Sequence, residues 1–117
     1  MSTLQVQQVK DYTVVEFMTP SLMNPMELEQ IAKALYHMVD TENRRKIVLD
    51  FEQVKFVSSQ ALGIVMNLRK KLATLKHTHL VLCGVGPKLM EVLKLSGLLK
   101  LLTIKPSQRE AINVANV

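Results

Sequence analysis

The chain has 117 residues, a formal net charge of +5 at pH 7 and 48% hydrophobic residues, which is typical of one compact domain, here residues 1–117. No apolar run approaches the roughly 18 residues of a transmembrane helix, and the N-terminal residues lack the pattern of a signal peptide. The single cysteine, Cys83, excludes a disulfide framework, so we expect a cytoplasmic protein without membrane association.

The first part of the chain predicts two strands and a helix. Leu4–Val9 and Tyr12–Met18 alternate partly between apolar and polar residues, and the short connection between them is typical of a hairpin. After a loop at Thr19–Ser21, a capping Asn24 and the Glu27 three residues later predict a helix start. The apolar residues that follow recur at helical spacing and predict one buried face: Leu28, Ile31, Leu35, Met38 and Val39.

The second part alternates strands with helices. Lys46–Phe51 and His79–Val85 are apolar runs typical of strands buried on both faces of a parallel sheet. Pro87 begins a helix that Gly97 ends in a left-handed conformation. Two elements complete the prediction: a last strand over Leu99–Ile104 and a short helix from Ser107 to near Ala115. This order predicts an α/β fold, with a mixed sheet of about five strands covered by about four helices.

The most informative segment is residues 47–63, where a buried strand leads to a helix start. Ser58 and Ser59 stand at that helix start. A serine oxygen there either caps the backbone N–H groups of the first turn or receives a phosphate, whose charge meets the positive end of the helix dipole. We expect Asp50, at the end of the strand, to accept backbone N–H bonds near these serines.

The helix after the serines has a buried stripe and an outward face. Ala61, Val65, Leu68, Leu72 and Leu75 form the predicted stripe. Gly63, Met66 and Lys70 lie opposite, flanked by Leu62 and Arg69. Apolar side chains beside a glycine, above a serine, favour a surface that docks another protein. The alternative is that Leu62 packs under a loop and that Gly63 avoids a clash.

Other motifs indicate no catalytic, metal or nucleotide site. Gly84–Pro87 has neither the third glycine of a dinucleotide loop nor the Gly-Lys-Ser/Thr of a P-loop. His37, His77 and His79 are not spaced with carboxylates or cysteine for a metal site or a triad. The basic cluster within residues 69–76 contains no aromatic residue, so we expect a solvated helix face and no nucleic-acid binding. We therefore predict neither an enzyme nor a cofactor.

Residues 48–63 resemble the STAS domain of the bacterial anti-sigma factor antagonists. Val48–Asp50 is similar to the family's buried strand ending in Asp, Phe56–Val57 to its apolar pair, and Ala61–Gly63 to the end of its signature. The order of strands and helices is similar over nearly the whole chain. Two positions differ: Ser58 stands where an acidic residue is usual, and Gln60 where Ser or Thr is usual.

The resemblance implies a protein that switches partners. An anti-sigma factor with serine kinase activity would phosphorylate Ser59, with Ser58 as the alternative acceptor, and a cognate phosphatase would act on the product. The unphosphorylated protein would bind the anti-sigma factor, and the phosphorylated protein would release it. The implied binding residues are Ser58, Ser59, Leu62, Gly63, Met66, Arg69 and Lys70. The alternatives are a STAS scaffold that is never phosphorylated, a weak homo-oligomer, or a ligand-sensing module in a signalling complex.

Overall fold

A computed structural model describes the protein over residues 3–113 and shows a five-stranded sheet with helices against both faces. Its strands are β1 (Leu4–Val9), β2 (Tyr12–Phe17), β3 (Ser21–Leu22), β4 (Lys46–Asp50), β5 (Phe56–Val57), β6 (His79–Cys83) and β7 (Thr103–Lys105). Its helices are α1 (Pro25–Asp40), α2 (Ser59–Ala73), α3 (Pro87–Leu95), a 3-10 helix (Leu98–Leu101) and α4 (Gln108–Asn113). None of the helices in this range has the length and apolar character needed to span a membrane.

The main sheet has the strand order β1-β2-β4-β6-β7. β1 and β2 form an antiparallel hairpin, and the other neighbours are parallel. Because helices cover both faces of the sheet, the middle of its central strand β4 has no solvated side, and Ile47, Val48 and Leu49 are all fully buried. The predicted α/β fold with a mixed sheet of five strands is confirmed.

The sheet separates two apolar cores. The larger core lies under α1, α2 and α3, and in it the rings of Phe17 and Phe51 pack at a tilt of 42° with their centroids 4.9 Å apart. The smaller core lies on the opposite face, where Ala111 of α4 packs with Tyr12 and Cys83. The caps predicted from the sequence are present: Asn24 Oδ1 accepts the N–H groups of the first turn of α1, and Gly97 has φ +80° behind α3.

Predicted boundaries were wrong in the last strand, at Ser21 and at the ends of three other strands. Leu99–Ile104 is not one strand, because its first residues belong to the 3-10 helix and only β7 pairs with β6; a short leucine run does not distinguish the two structures. Ser21 is not in a loop, since β3 pairs with β5 in a second, two-stranded sheet. β2, β4 and β6 end one or two residues earlier than predicted. The predicted end of the last helix at Ala115 lies outside the described residues.

Candidate partner-binding site

The two-stranded sheet fixes the position at which α2 begins. The backbone N–H groups of Lys55 and Phe56 both donate to the carbonyl of Pro20, at 2.8 and 3.0 Å. Two residues further along the chain, the N–H of Ser58 donates to the carbonyl of Leu22 at 3.1 Å. Leu22 is itself buried in the larger core, so the start of α2 is held by main-chain bonds to a fixed point of the fold.

The two serines at this point have different environments. Ser58 is the N-cap of α2: its Oγ accepts the backbone N–H of Ala61 at 3.2 Å, and the residue is half-buried. Ser59 is the first helical residue and is exposed, and within residues 3–113 its hydroxyl makes no hydrogen bond. Gln60, beside it, donates from Nε2 to the carbonyl of Pro25 at 3.5 Å and so links the starts of the two helices. Of the two hydroxyl groups, that of Ser59 is the accessible one.

The outward face of α2 runs from Ser59 through Gly63 and Met66 to Lys70. Gly63 and Lys70 are exposed, and Met66 is half-buried. A methyl group built on Gly63 would meet no atom within 4 Å in the part of the chain that the structure describes, so this glycine is not needed to avoid a clash there. Lys70 lies eleven positions after Ser59 in the helix, which makes the face about 16 Å long.

The two flanking residues are partly engaged in the fold. Leu62 is half-buried and packs against the larger core. Arg69 donates from Nε to the carbonyl of Leu101 at 2.7 Å, which ties its guanidinium group to the 3-10 helix. The buried stripe agrees with prediction at Ala61, Val65, Leu68 and Leu72; Ile64 is an additional buried member, and Leu75 is half-buried beyond the end of α2.

Exposed apolar side chains that the sequence analysis missed lie around the start of α2. Met23 and Phe56 are each 50% exposed and line one groove between β5 and α3, and Met26, in the first turn of α1, is 77% exposed. Lys88 stands over the Phe56 ring, with Nζ 5.1 Å from the centroid. We call Met23, Met26 and Phe56 the apolar patch. Of these residues, only Phe56 could have been predicted from the sequence to be exposed, because successive side chains of a strand point to opposite faces, and one of the two in β5 therefore points toward solvent.

Asp50 does not bond near the serines, contrary to prediction. It is buried at the end of β4, where Oδ1 accepts the N–H of Glu52 at 2.9 Å and Oδ2 accepts Nε2 of Gln108 at 2.5 Å. The carboxylate therefore joins the loop after β4 to α4 on the other side of the sheet. Cys83, on the neighbouring strand, is also buried, and burial, with smaller effects of Asp50 and other carboxylates, raises the pKa of its thiol to about 12. A thiol with this pKa is a poor nucleophile at neutral pH.

The remaining motifs show structural roles in the described part of the chain. Gly84 has φ +64°, and a methyl group there would lie 2.8 Å from the backbone nitrogen of Glu52, so the glycine permits the close turn between β6 and α3. Among residues 3–113, no group of three or more His, Cys, Asp or Glu side chains is arranged to hold a metal ion.

The sequence pattern of the STAS domain matches residues 4–111. The chain belongs to the STAS domain family. A sequence relative is BtrV of Bordetella bronchiseptica, named as a candidate anti-sigma factor antagonist; it is 31% identical over 90 residues, which are 77% of this chain and 76% of BtrV. The family resemblance read from residues 48–63 is thereby confirmed.

Solved structures of STAS proteins have the same fold. An anti-sigma factor antagonist domain from Planctomyces limnophilus superimposes with a TM-score of 0.84 at 23% identity, covering 96% of each chain. The anti-sigma factor antagonist SpoIIAA in its unphosphorylated form gives a TM-score of 0.74 at 17% identity, covering 97% of each chain. SpoIIAA of Bacillus has also been solved in a phosphorylated form, which gives a TM-score of 0.73 at 21% identity and covers 94% of this chain and 96% of that one.

Proposed function

We propose that this STAS protein binds an anti-sigma factor with serine kinase activity and is released from it when Ser59 is phosphorylated. The observation that carries the proposal is the exposed Ser59 hydroxyl at the first position of a 15-residue helix, next to a serine whose own hydroxyl caps that helix. The sequence relative BtrV, a candidate anti-sigma factor antagonist, and the phosphorylated form of SpoIIAA support the same assignment.

The apolar patch and the outward face of α2 together supply a surface for the anti-sigma factor. Exposed apolar clusters rimmed by polar groups are typical of protein-binding sites. The basic side chains Lys55 and Lys88 line the same groove as Phe56, and Lys70 ends the α2 face. A partner with apolar side chains inside an acidic rim would match this surface in both polarity and charge.

A phosphate on Ser59 would change binding much more than folding. It adds a charge of about −1.5 to −2 at the N-terminus of α2, where an anion stabilises the helix by about 0.3–1 kcal/mol. In a docked complex the same charge would be desolvated beside apolar side chains, which costs on the order of 2–5 kcal/mol. The loss of affinity is then about thirtyfold to several thousandfold, so the modification releases the partner while the domain stays folded.

The phosphorylation step can be tested on the intact chain. Incubation with candidate anti-sigma kinases and ATP, followed by intact-mass measurement and peptide mapping, is expected to show one added phosphate on Ser59. Ser59→Ala should abolish the modification, whereas Ser58→Ala should keep it. A phosphate mapped to Ser58 would reassign the acceptor, and the absence of phosphate with every cognate kinase would replace the switch with a constitutive scaffold.

The release step needs a separate binding measurement. The Ser59→Asp variant is expected to have the melting temperature of the wild type. Its affinity for the anti-sigma factor, measured by calorimetric titration, should be lower by at least about tenfold. Ser107→Asp is the matched control, because Ser107 is also an exposed serine at a helix start but directly precedes α4, on the opposite face of the sheet. Equal affinities of Ser59→Asp and wild type would contradict the proposal.

A further inference from the structure

β1 forms an edge of the main sheet that has none of the usual protection against pairing. Within residues 3–113 it pairs on one side only, with β2. Its sequence is LQVQQV, with no charged residue and no proline, and Gln5 through Gln8 are exposed. Natural edge strands are commonly short or carry lysine or proline. The opposite edge, β7, follows that pattern: it has three residues, ends in Lys105 and is followed by Pro106.

The hairpin bonds fix which backbone groups of β1 face this open edge. The N–H of Met18 donates to the carbonyl of Thr3 at 2.6 Å, so the opposed residues Thr3 and Met18 form a hydrogen-bonded pair. Hydrogen-bonded and non-bonded pairs alternate along an antiparallel ladder. The backbone N–H and C=O groups of Leu4, Val6 and Gln8 therefore point away from β2.

We propose that this edge pairs with β1 of a second copy of the chain, antiparallel and centred on Val6. Val6 would then lie opposite Val6 of the second copy, and Leu4 opposite Gln8, with about six main-chain hydrogen bonds across the two-fold axis. Leu4 and Gln8 lie two positions on either side of Val6. The backbone N–H and C=O groups of these three residues in one copy can therefore bond to the same groups of the other copy. Val6 itself is 48% exposed, so the pairing would also remove apolar surface from water.

Charges at the two ends of β1 favour the same arrangement. At one end Glu27 accepts a hydrogen bond from Thr3 at 3.2 Å. At the other end Arg44 donates from Nη1 to Gln8 at 2.8 Å, with Glu42 on its other side at 3.4 Å. An antiparallel pairing brings the Glu27 end of each copy to the Arg44 guanidinium of the other, which Glu42 already shares, whereas a parallel pairing would place the two Glu27 carboxylates together. A second copy of the chain matches both the charges at the ends of β1 and its symmetric outward-facing backbone groups.

Sedimentation equilibrium over a range of protein concentrations measures the association directly. The wild type is expected to dimerise. Val6→Lys puts two lysines opposite each other on the axis and should weaken dimerisation by about tenfold or more. Gln5→Lys is the matched control, since it adds the same charge at an exposed position that faces Gln7 of the second copy. A wild type that stays monomeric up to about millimolar concentration, or equal effects of the two lysines, would overturn the proposal.

Oxidative cross-linking tests the register without relying on weakened binding. In a hydrogen-bonded pair the Cα atoms are about 5.5 Å apart, within disulfide range, so Val6→Cys should give a covalent dimer. Gln5→Cys places its two thiols beyond about 7 Å and should cross-link much more slowly. The native Cys83 is buried and does not compete. Equal cross-linking of both variants would exclude this register. Neither measurement uses an anti-sigma factor, so the outcome is independent of the proposed function.

Discussion

Ser58 and Ser59 are neighbours in sequence with separate physical roles. Ser58 accepts the Ala61 N–H as the cap of α2, whereas the Ser59 hydroxyl is exposed. Ser58→Ala should therefore lower the free energy of unfolding by about 1 kcal/mol, the usual cost of losing such a cap. Ser59→Ala should change it by less than about 0.5 kcal/mol. Urea unfolding of both variants measures the difference, and equal destabilisation would contradict the assignment of the cap.

Local side-chain chemistry was the part of the site that the sequence predicted best. Helix starts at Asn24 and Ser58 and the left-handed Gly97 depend on contacts within a few residues, so their patterns are visible in the sequence. The partner of Asp50 is different: Gln108 is 58 positions away, and it reaches Asp50 only because α4 folds back onto the sheet. No spacing rule in a single sequence indicates that contact.

Helix α2 contains a glycine, Gly63, that is not required by the packing of the described residues. No atom of residues 3–113 lies within 4 Å of a methyl group at Gly63, and glycine costs about 0.8–1 kcal/mol relative to alanine inside a helix. Gly63→Ala should thus stabilise the protein by about that amount. The added methyl group should weaken binding of the proposed anti-sigma factor partner by about tenfold, since overfilling a close contact costs about 1–3 kcal/mol.

Thermal unfolding and calorimetric titration of Gly63→Ala measure these two effects on the same sample. The stability gain shows that the variant is folded, so a loss of affinity has to come from the surface. Unchanged affinity would remove Gly63 from the binding face and leave the docking surface to the apolar patch.

The elements that sequence reasoning missed are the short ones. β3 has two residues, too few for an alternating pattern, and it exists because its partner β5 lies beside it. The 3-10 helix Leu98–Leu101 follows directly on the left-handed Gly97, and its first two leucines are partly buried against the larger core, whereas Leu101 is exposed. A run of leucines of this length satisfies a strand or a helical turn equally well, so tertiary packing decides between them.

Burial of the Cys83 thiol makes the free energy of unfolding of the protein depend on pH. Burial raises its pKa from 9.0 to about 12 in the folded state, whereas unfolding returns it to the ordinary value. Above pH 9 the unfolded chain releases a proton that the folded chain keeps, so the unfolded state is favoured. The resulting contribution to stability is fully present below pH 9 and is lost as the pH rises toward 12.

This linkage predicts that the free energy of unfolding depends on pH more steeply in the wild type than in the Cys83→Ala variant. The variant should be less stable at neutral pH, because it leaves a small cavity, but its stability should fall less between about pH 8 and pH 10.5. The expected difference in that fall is about 1–2 kcal/mol, from at most about 1.4 kcal/mol per pH unit for one proton. Lysine and tyrosine titrations are shared by both proteins and cancel in the comparison. Urea unfolding at the two pH values measures the slopes, and parallel profiles would show that the thiol is no more buried in the folded chain than in the unfolded one.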